Sequence, residues 1–272
     1  MYRNLECEIW LGEIGMKKVS VFVGSAHKKN THEAVTQFVN HLQADGAVDC
    51  EIVTLSDYKL ETCRGCRVCF SKGEEFCPLK DDRDVLFEKI AQSDGVVFAS
   101  PNYTWHISGM MKVFLDRLGA ACHRPRYFGK TFTSIVTQGI GRGNEIVKYF
   151  DFLATILGFN TVKGVCLTAL DPRTEKDQQR IDRSLEKLSK RFLKKLSASP
   201  FPSPSLFMLM GFRMGRSSMK ELLDESSKDY RYYAEKGWFD SEYYYPTHLN
   251  PIKKTLGNIF DKMAPTLRRL IA

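Results

Sequence analysis

Residues 17–31 read KKVSVFVGSAHKKNT, and the fold follows from how that stretch is punctuated. Lys17 to Val23 is a short run with β-branched residues, which suit a pleated backbone. Gly24-Ser25 ends it, and Asn30-Thr31-His32-Glu33 opens a helical pattern with apolar Val35, Phe38, Val39 and Leu42. Asn30 with Glu33 three residues on is expected to form a capping box, and Gly46 after Asp45 to stop the helix. The unit is one strand, one loop and one helix.

The same alternation recurs along the chain. Cys50 to Leu55 is strand-like, Asp82 to Gln92 helical, and Gly95 to Ala99 a buried strand. Ser108 to Leu118 is helical, with Met111, Phe114, Leu115 and Leu118 on one face. Strand Thr131 to Thr137, a helix through Ile146, Phe150, Leu153 and Leu157, and strand Thr161 to Leu167 follow. Asp171-Pro172 is expected to cap a last helix carrying Ile181, Leu185, Leu188, Phe192 and Leu196. Parallel strands need crossover connections, and helices make them compactly, so the alternation predicts an α/β fold: a doubly wound, five-stranded parallel sheet. In strand order 2-1-3-4-5 the chain reverses direction between the first and third strands. Ligands are then expected at their carboxyl ends, in Gly24 to Thr31 and Ser100 to Ser108.

At 272 residues, 43% hydrophobic and 26% charged, the chain can bury a sizeable core, which excludes a disordered or fibrous protein. Residues 1–16 read as an N-terminal extension, 17–197 as the ligand-binding domain, 198–205 as a Ser/Pro linker and 206–272 as a helical or irregular C-terminal extension. The net charge of +8 favours anionic partners without choosing among them. No apolar run reaches the ~18 residues of a spanning helix, and Met1 to Gly15 lacks the basic and apolar regions of an export signal. A soluble cytoplasmic protein is expected, with Met16 as an alternative start.

Between strand and helix, the segment Gly24 to Thr31 offers free backbone N–H groups and the positive end of a helix, the setting for a phosphate. Ser25, Asn30 and Thr31 add donors, and Lys28 and Lys29 add charge. The loop lacks the glycine and lysine patterns of nucleotide triphosphatases and dinucleotide folds, so a monophosphate fits better. Tyr103 and Trp105, in the loop after the third strand, suit a planar ring held by stacking.

The two elements together, G-S-x-x-K-x-N-T at Gly24 to Thr31 and S-P-x-Y-x-W-x-x-S-G-x-M-K-x-F-x-D-R at Ser100 to Arg117, resemble NAD(P)H-dependent FMN reductases of the flavodoxin-like superfamily. The resemblance covers roughly residues 17–197. It implies FMN, with its phosphate on Ser25, His27, Lys28, Asn30 and Thr31. The ring would lie along Pro101, Asn102, Tyr103, Thr104 and Trp105, with Thr137 to Gly143 on the far side, including Thr137, Gly139 and Gly141. His27 stands where relatives often have arginine. The implied chemistry is hydride transfer from NAD(P)H through FMN N5 to quinones, flavins or other soluble acceptors, with the flavin carrying the reaction. Asp116 and Arg117 read as a helix-end ion pair.

Cys63, Cys66, Cys69 and Cys77 fall within fifteen residues, whereas Cys7, Cys50, Cys122 and Cys166 are scattered and read as packing residues. In a chain with no export signal such a cluster points to metal or redox chemistry. Three thiols spaced by two, plus a fourth, suit a [4Fe-4S] cluster, and the spacing resembles the iron-sulfur flavoproteins of the same superfamily. A metal-free thiol loop and a structural zinc site are the alternatives. Arg64 and Arg67 are expected to lower thiolate pKa values or balance cluster charge. The alternative function is therefore an electron carrier exchanging single electrons with a redox protein.

The segment 206–272 is expected to pack on its own domain or on a homodimer or homotetramer partner, with its Tyr-rich stretch overhanging a neighbouring flavin; peripheral membrane contact is the competing expectation. No module for nucleic acid is present, and none is expected as a partner.

Overall fold

The computed structural model describes residues 16–46 and 48–271, the side chains of 264–271 excepted. Expectations about residues 1–15, Cys7 among them, lie outside the described residues. The first half of the chain runs β1 (Lys17–Val23), α1 (Asn30–Asp45), β2 (Val48–Thr54), a short α2 (Val68–Ser71), α3 (Arg83–Gln92) and β3 (Gly95–Tyr103). A two-residue β4 (His106–Ile107), α4 (Gly109–Arg117), α5 (Gly119–His123), β5 (Thr131–Gln138) and α6 (Gly143–Leu157) follow. The remainder is β6 (Asn160–Thr161), β7 (Val165–Thr168), α7 (Glu175–Leu196), α8 (Leu206–Leu222), α9 (Lys228–Glu235) and α10 (Pro251–Ile271).

The sheet has the order β2-β1-β3-β5-β6, with β7 also pairing β5 and β4 turning back on β3. This is the expected flavodoxin-like 2-1-3-4-5 arrangement, because the expected fifth strand is present as two short pieces, β6 and β7, both parallel to β5. All pairs are parallel except the β3–β4 hairpin.

Side-chain alternation divides the sheet between two cores. Val19, Val21, Val23, Val97, Ala99 and Ile135 face α1 and α7. Phe22, Val96, Phe98, Phe132 and Val136 face α3, α4 and α6. There Phe22 stacks on Phe114 at 5.2 Å and Phe98 meets Phe132 edge-on at 5.0 Å. Each such ring, fully buried, contributes about 1.5–3 kcal/mol.

Three sequence expectations need correction. Asn30 is not the N-cap of α1: Lys29 takes that place, no side chain caps the helix, and Asn30 instead reaches the far side of the sheet edge, where its Nδ2 donates to the Ala169 carbonyl at 3.1 Å. The last helix of the domain is capped by Thr174, not by Asp171-Pro172, since its hydroxyl accepts from the Asp177 N–H. Asp116 and Arg117 do not pair: Asp116 takes Lys112 one turn back, while Arg117 turns inward to the buried Asp81.

The C-terminal segment builds a third core from Leu209, Phe212, Tyr233, Trp238, Tyr243 and Leu249. Tyr244 and Tyr245 pack on Phe128 of the same chain. Arg213 and Arg216 of α8 both bind Asp261 of α10. Burial opposes ionisation of Asp261, but hydrogen bonds from the two guanidiniums outweigh it and hold the carboxyl below its ordinary range. The segment is fastened to the body by Asp229 of α9, which pairs with Arg124, a guanidinium with 1% of its side chain exposed. Among the described residues no helix is long and apolar enough to cross a membrane.

Two outcomes follow from these pairs. Asp229→Ala leaves the buried Arg124 with Glu74 as its one carboxylate partner and is expected to lower unfolding free energy by about 3 kcal/mol, measured by urea denaturation. Asp261 has a folded pKa below its unfolded value, so its contribution is complete above about pH 4 and disappears as pH falls through the folded pKa. Urea titrations from pH 7 downward should show the gap between wild type and Asp261→Asn closing under acid.

Candidate functional site

The carboxyl ends of β1, β3 and β5 open into a cleft of about 210 Å³. Its floor depends on a close approach: a Cβ on Gly24 would sit 2.7 Å from the Cβ of Met111, so only glycine lets β1 end against α4. Ser108 fixes that approach, donating from Oγ to the Gly24 carbonyl at 2.5 Å while accepting from the Met111 N–H as the cap of α4. Ser100 Oγ in turn accepts from the Ser108 N–H at 3.0 Å.

At one end of the cleft, α1 begins with no side-chain cap, which leaves the first N–H groups of the helix without intrahelical partners. Ser25, His27, Lys29, Asn30 and Thr31 line this end. Thr31 Oγ1 lies 2.7 Å from Thr137 Oγ1, tying the helix start to the end of β5. Arg173 Nη2 donates to Asn30 Oδ1 at 2.6 Å and sets its amide orientation.

At the other end, Pro101, Asn102 and Tyr103 come from β3 and Thr137, Gln138 and Gly139 from β5 and its loop. Asn102 Nδ2 donates to the Gly141 carbonyl at 2.9 Å, whereas its buried Oδ1 has no partner. Thr104 and Trp105 form the β3–β4 turn with φ of 51° and 59°. Two positive φ values in a two-residue hairpin loop are the geometry of a type I′ turn, and an aromatic residue enters it at an energetic cost. The turn leaves Trp105 61% and Tyr103 55% exposed, and of the two Tyr103 lines the cleft.

Of the residues expected at this site, Ser25, His27, Asn30, Thr31, Pro101, Asn102, Tyr103, Thr137 and Gly139 line the cleft. Lys28, Thr104, Trp105 and Gly141 do not; Lys29 takes the place given to Lys28, and Gly141 acts through Asn102. Ala169 was missed, although its place just past β7, at the same sheet edge, was a topological signal.

The residues present suit FMN: an uncapped helix start with hydroxyls beside it for a phosphate, an unsatisfied amide oxygen, and exposed rings at the rim. The four clustered cysteines line a second, smaller cavity of about 80 Å³ with Arg117. Cys63 and Cys66 are exposed, Cys69 and Cys77 half-buried. Burial, and then Glu74, pushes the Cys69 thiol up. The cation at a thiol is Arg117, whose Nη2 lies 3.7 Å from Cys77 Sγ; Arg64 faces Glu61 instead. Four thiols on one cavity are the donor set of an iron-sulfur cluster, although no three ligating side chains among the described residues are gathered to hold a single ion. Cys50 and Cys166 are half-buried packing thiols that burial pushes up to about 11.

The sequence pattern described as NADPH-dependent FMN reductase matches residues 17–169, more than half of the chain. An iron-sulfur flavoprotein of Archaeoglobus fulgidus is 34% identical over 137 residues, which is 50% of this chain and 61% of that relative. An iron-sulfur flavoprotein of Clostridioides difficile is 25% identical over 65% of this chain and 77% of its own. The match to the Archaeoglobus protein therefore spans about three fifths of that relative's length. Among solved structures, the NAD(P)H:quinone oxidoreductase of Methanothermobacter marburgensis superposes with a TM-score of 0.52 at 15% identity, over 65% of this chain and 97% of that one. RosB superposes with a TM-score of 0.53 at 14% identity, over 86% of this chain and 92% of that one. At these identities the superpositions speak to fold alone; the pattern match, seated on the strands and loops that build the cleft, shows that the chain belongs to the NADPH-dependent FMN reductase family.

Proposed function

We propose that the cleft binds FMN and that the chain is a flavin-dependent oxidoreductase taking electrons from NAD(P)H and delivering them to quinones, flavins or other soluble acceptors. The observation that carries this reading is the cleft itself: the uncapped start of α1, the Thr31–Thr137 hydroxyl pair and the unpartnered Asn102 Oδ1 converge on one opening. Bound FMN would supply the hydride and electron chemistry. The protein's part is binding and orientation. The free N–H groups of α1 hold a phosphate together with Thr31, whose hydroxyl accepts from Thr137 and donates onward, and Lys29 balances its charge. Asn102 Oδ1 accepts from a ring N–H. Tyr103 and Trp105 cover the ring's exposed side and restrict water.

The cysteine cavity favours a second element within the same reading, a [4Fe-4S] cluster on Cys63, Cys66, Cys69 and Cys77. It is supported by the shared cavity and by relatives named iron-sulfur flavoproteins. Such a cluster would let the protein exchange single electrons with a redox partner. Buried Arg117, beside Cys77, would offset its negative charge.

Anaerobic purification with FMN, iron and sulfide counted on one sample tests both parts. One FMN per chain is expected, and failure to take up added FMN overturns the flavin reading. Iron and sulfide at about four each per chain, as a cubane requires, support the cluster, and Cys66→Ala should remove the iron while FMN stays. Thr31→Val, which keeps the shape but loses the hydroxyl, should weaken FMN binding about tenfold to hundredfold, since a hydrogen bond to a charged group contributes about 1.5–3 kcal/mol.

A further inference from the structure

Away from the FMN cleft, and sharing no lining residue with it, lies a pair of adjoining cavities between the C-terminal segment and the body of the domain. One, of about 310 Å³, is enclosed by α5, α6 and α8 and by Tyr243 and Tyr244. The other, of about 450 Å³, runs from α8 to Phe70 and Ser71 of α2, on the cysteine loop. His123 and Met219 border both. Each volume falls in the range of small-molecule sites, about 300–1,000 Å³.

The sequence keeps this space open. Gly211 and Gly215, one turn apart inside α8, both border the smaller cavity, and a Cβ at either would meet no atom within 4 Å. Glycine weakens a helix interior relative to alanine, and here no close packing requires it. The rest of the lining includes aromatic rings: Phe152 of α6 and Phe207 of α8 lie 6.4 Å apart with over half their surface exposed, and Tyr244 lies deeper.

One polar group is held ready at the junction. The His123 ring stacks on Phe70 at 4.2 Å, and its Nδ1 donates at 2.8 Å to Asp229, whose carboxylate is also bound by Arg124. A carboxylate so paired accepts only, which fixes the tautomer and leaves Nε2 for a ligand. That nitrogen accepts from a hydroxyl when the ring is neutral and donates to a carbonyl when it is charged.

We propose that these joined cavities bind a quinone, its planar ring among Phe152, Phe207 and Tyr244 and one ring oxygen on His123 Nε2. The chemistry matches on both counts: an apolar aromatic slot for the ring, and a single nitrogen that serves the oxygen as either carbonyl or hydroxyl. The site is separate from the flavin cleft and its binding does not depend on turnover.

The test is calorimetric titration of the full chain with 2-methyl-1,4-naphthoquinone. Gly215→Leu and Gly211→Leu fill the space without displacing a neighbour, so the fold should keep or gain thermal stability while quinone affinity falls at least tenfold and FMN uptake is unchanged. His123→Phe keeps the stack on Phe70 but loses the nitrogen, and should weaken binding about fivefold or more. Absence of binding to the wild type overturns the proposal, as does wild-type affinity in the two leucine variants. Binding lost in Thr31→Val but kept in Gly215→Leu would place the quinone in the flavin cleft and overturn it too. A change of oligomeric state in Gly215→Leu with quinone binding intact would make this face an interface between copies instead.

Discussion

A guanidinium with 1% of its surface in water has to be neutralised where it stands, and Arg124 is neutralised from two remote parts of the chain. Asp229 comes from α9 in the C-terminal segment. Glu74 comes from the far side of the cysteine loop at 2.6 Å, and the Cys69 carbonyl, inside that loop, accepts at 2.8 Å. Burial raises the cost of ionising Glu74, yet Arg126 and Arg124 together hold its carboxyl below the ordinary range. The consequence is mechanical: neither the cysteine loop nor the C-terminal segment can shift without exposing or stranding this cation. The segment 206–272 is thereby part of the loop's support.

Helix α4 links the other two centres in a similar way. Its cap, Ser108, holds the end of β1 at the cleft, and its last residue, Arg117, holds Asp81 and approaches Cys77. Nine helical residues at a rise of about 1.5 Å each form a stiff strut of about 13 Å. The separation of the cleft and the cysteine cavity is therefore set by one rigid element, and a side chain at Gly24 would disturb both through α4. Asp81 is placed to keep the far end rigid: its oxygens accept from the Glu61 and Arg83 backbone as well as from Arg117.

What was legible in the sequence was local or periodic. The strand runs and the faces of α1, α4 and α7 are written in residues a few positions apart, and the sheet order follows from the crossover geometry they impose. What was not legible depended on partners remote in sequence. Arg117 reads as the neighbour of Asp116 until the fold brings Asp81 to it; Asn30 reads as a cap until Arg173 and Ala169 claim its amide. The fifth strand is split between β6 and β7, and just before β7 Gly164 passes so close to Ser134 that a Cβ there would lie 2.1 Å from its hydroxyl, a contact no composition reveals. In 206–272 the aromatic residues follow no clean period, since Trp238, Tyr243 and Tyr244 pack from irregular chain as well as from helices.

The start of α1 is the physical basis of the phosphate site proposed above. Ser108 caps α4, Thr174 caps α7 and Ser205 caps α8 with a hydroxyl, whereas α1 starts without a side-chain cap, as α3 and α9 do, and is the one of these three whose start lines the cleft. At α6 the first N–H is taken by Gln138 Oε1 at 2.8 Å. At α1 the hydroxyls nearby are engaged otherwise, Ser25 with the His27 carbonyl and Thr31 with Thr137, and the N-cap is a lysine that accepts nothing with its side chain. Placing Lys29 at the positive end of a helix is unfavourable by itself, because like charges meet. Under the proposed function the arrangement would become favourable, because a doubly charged phosphate accepting from those N–H groups would neutralise the lysine together with the helix end.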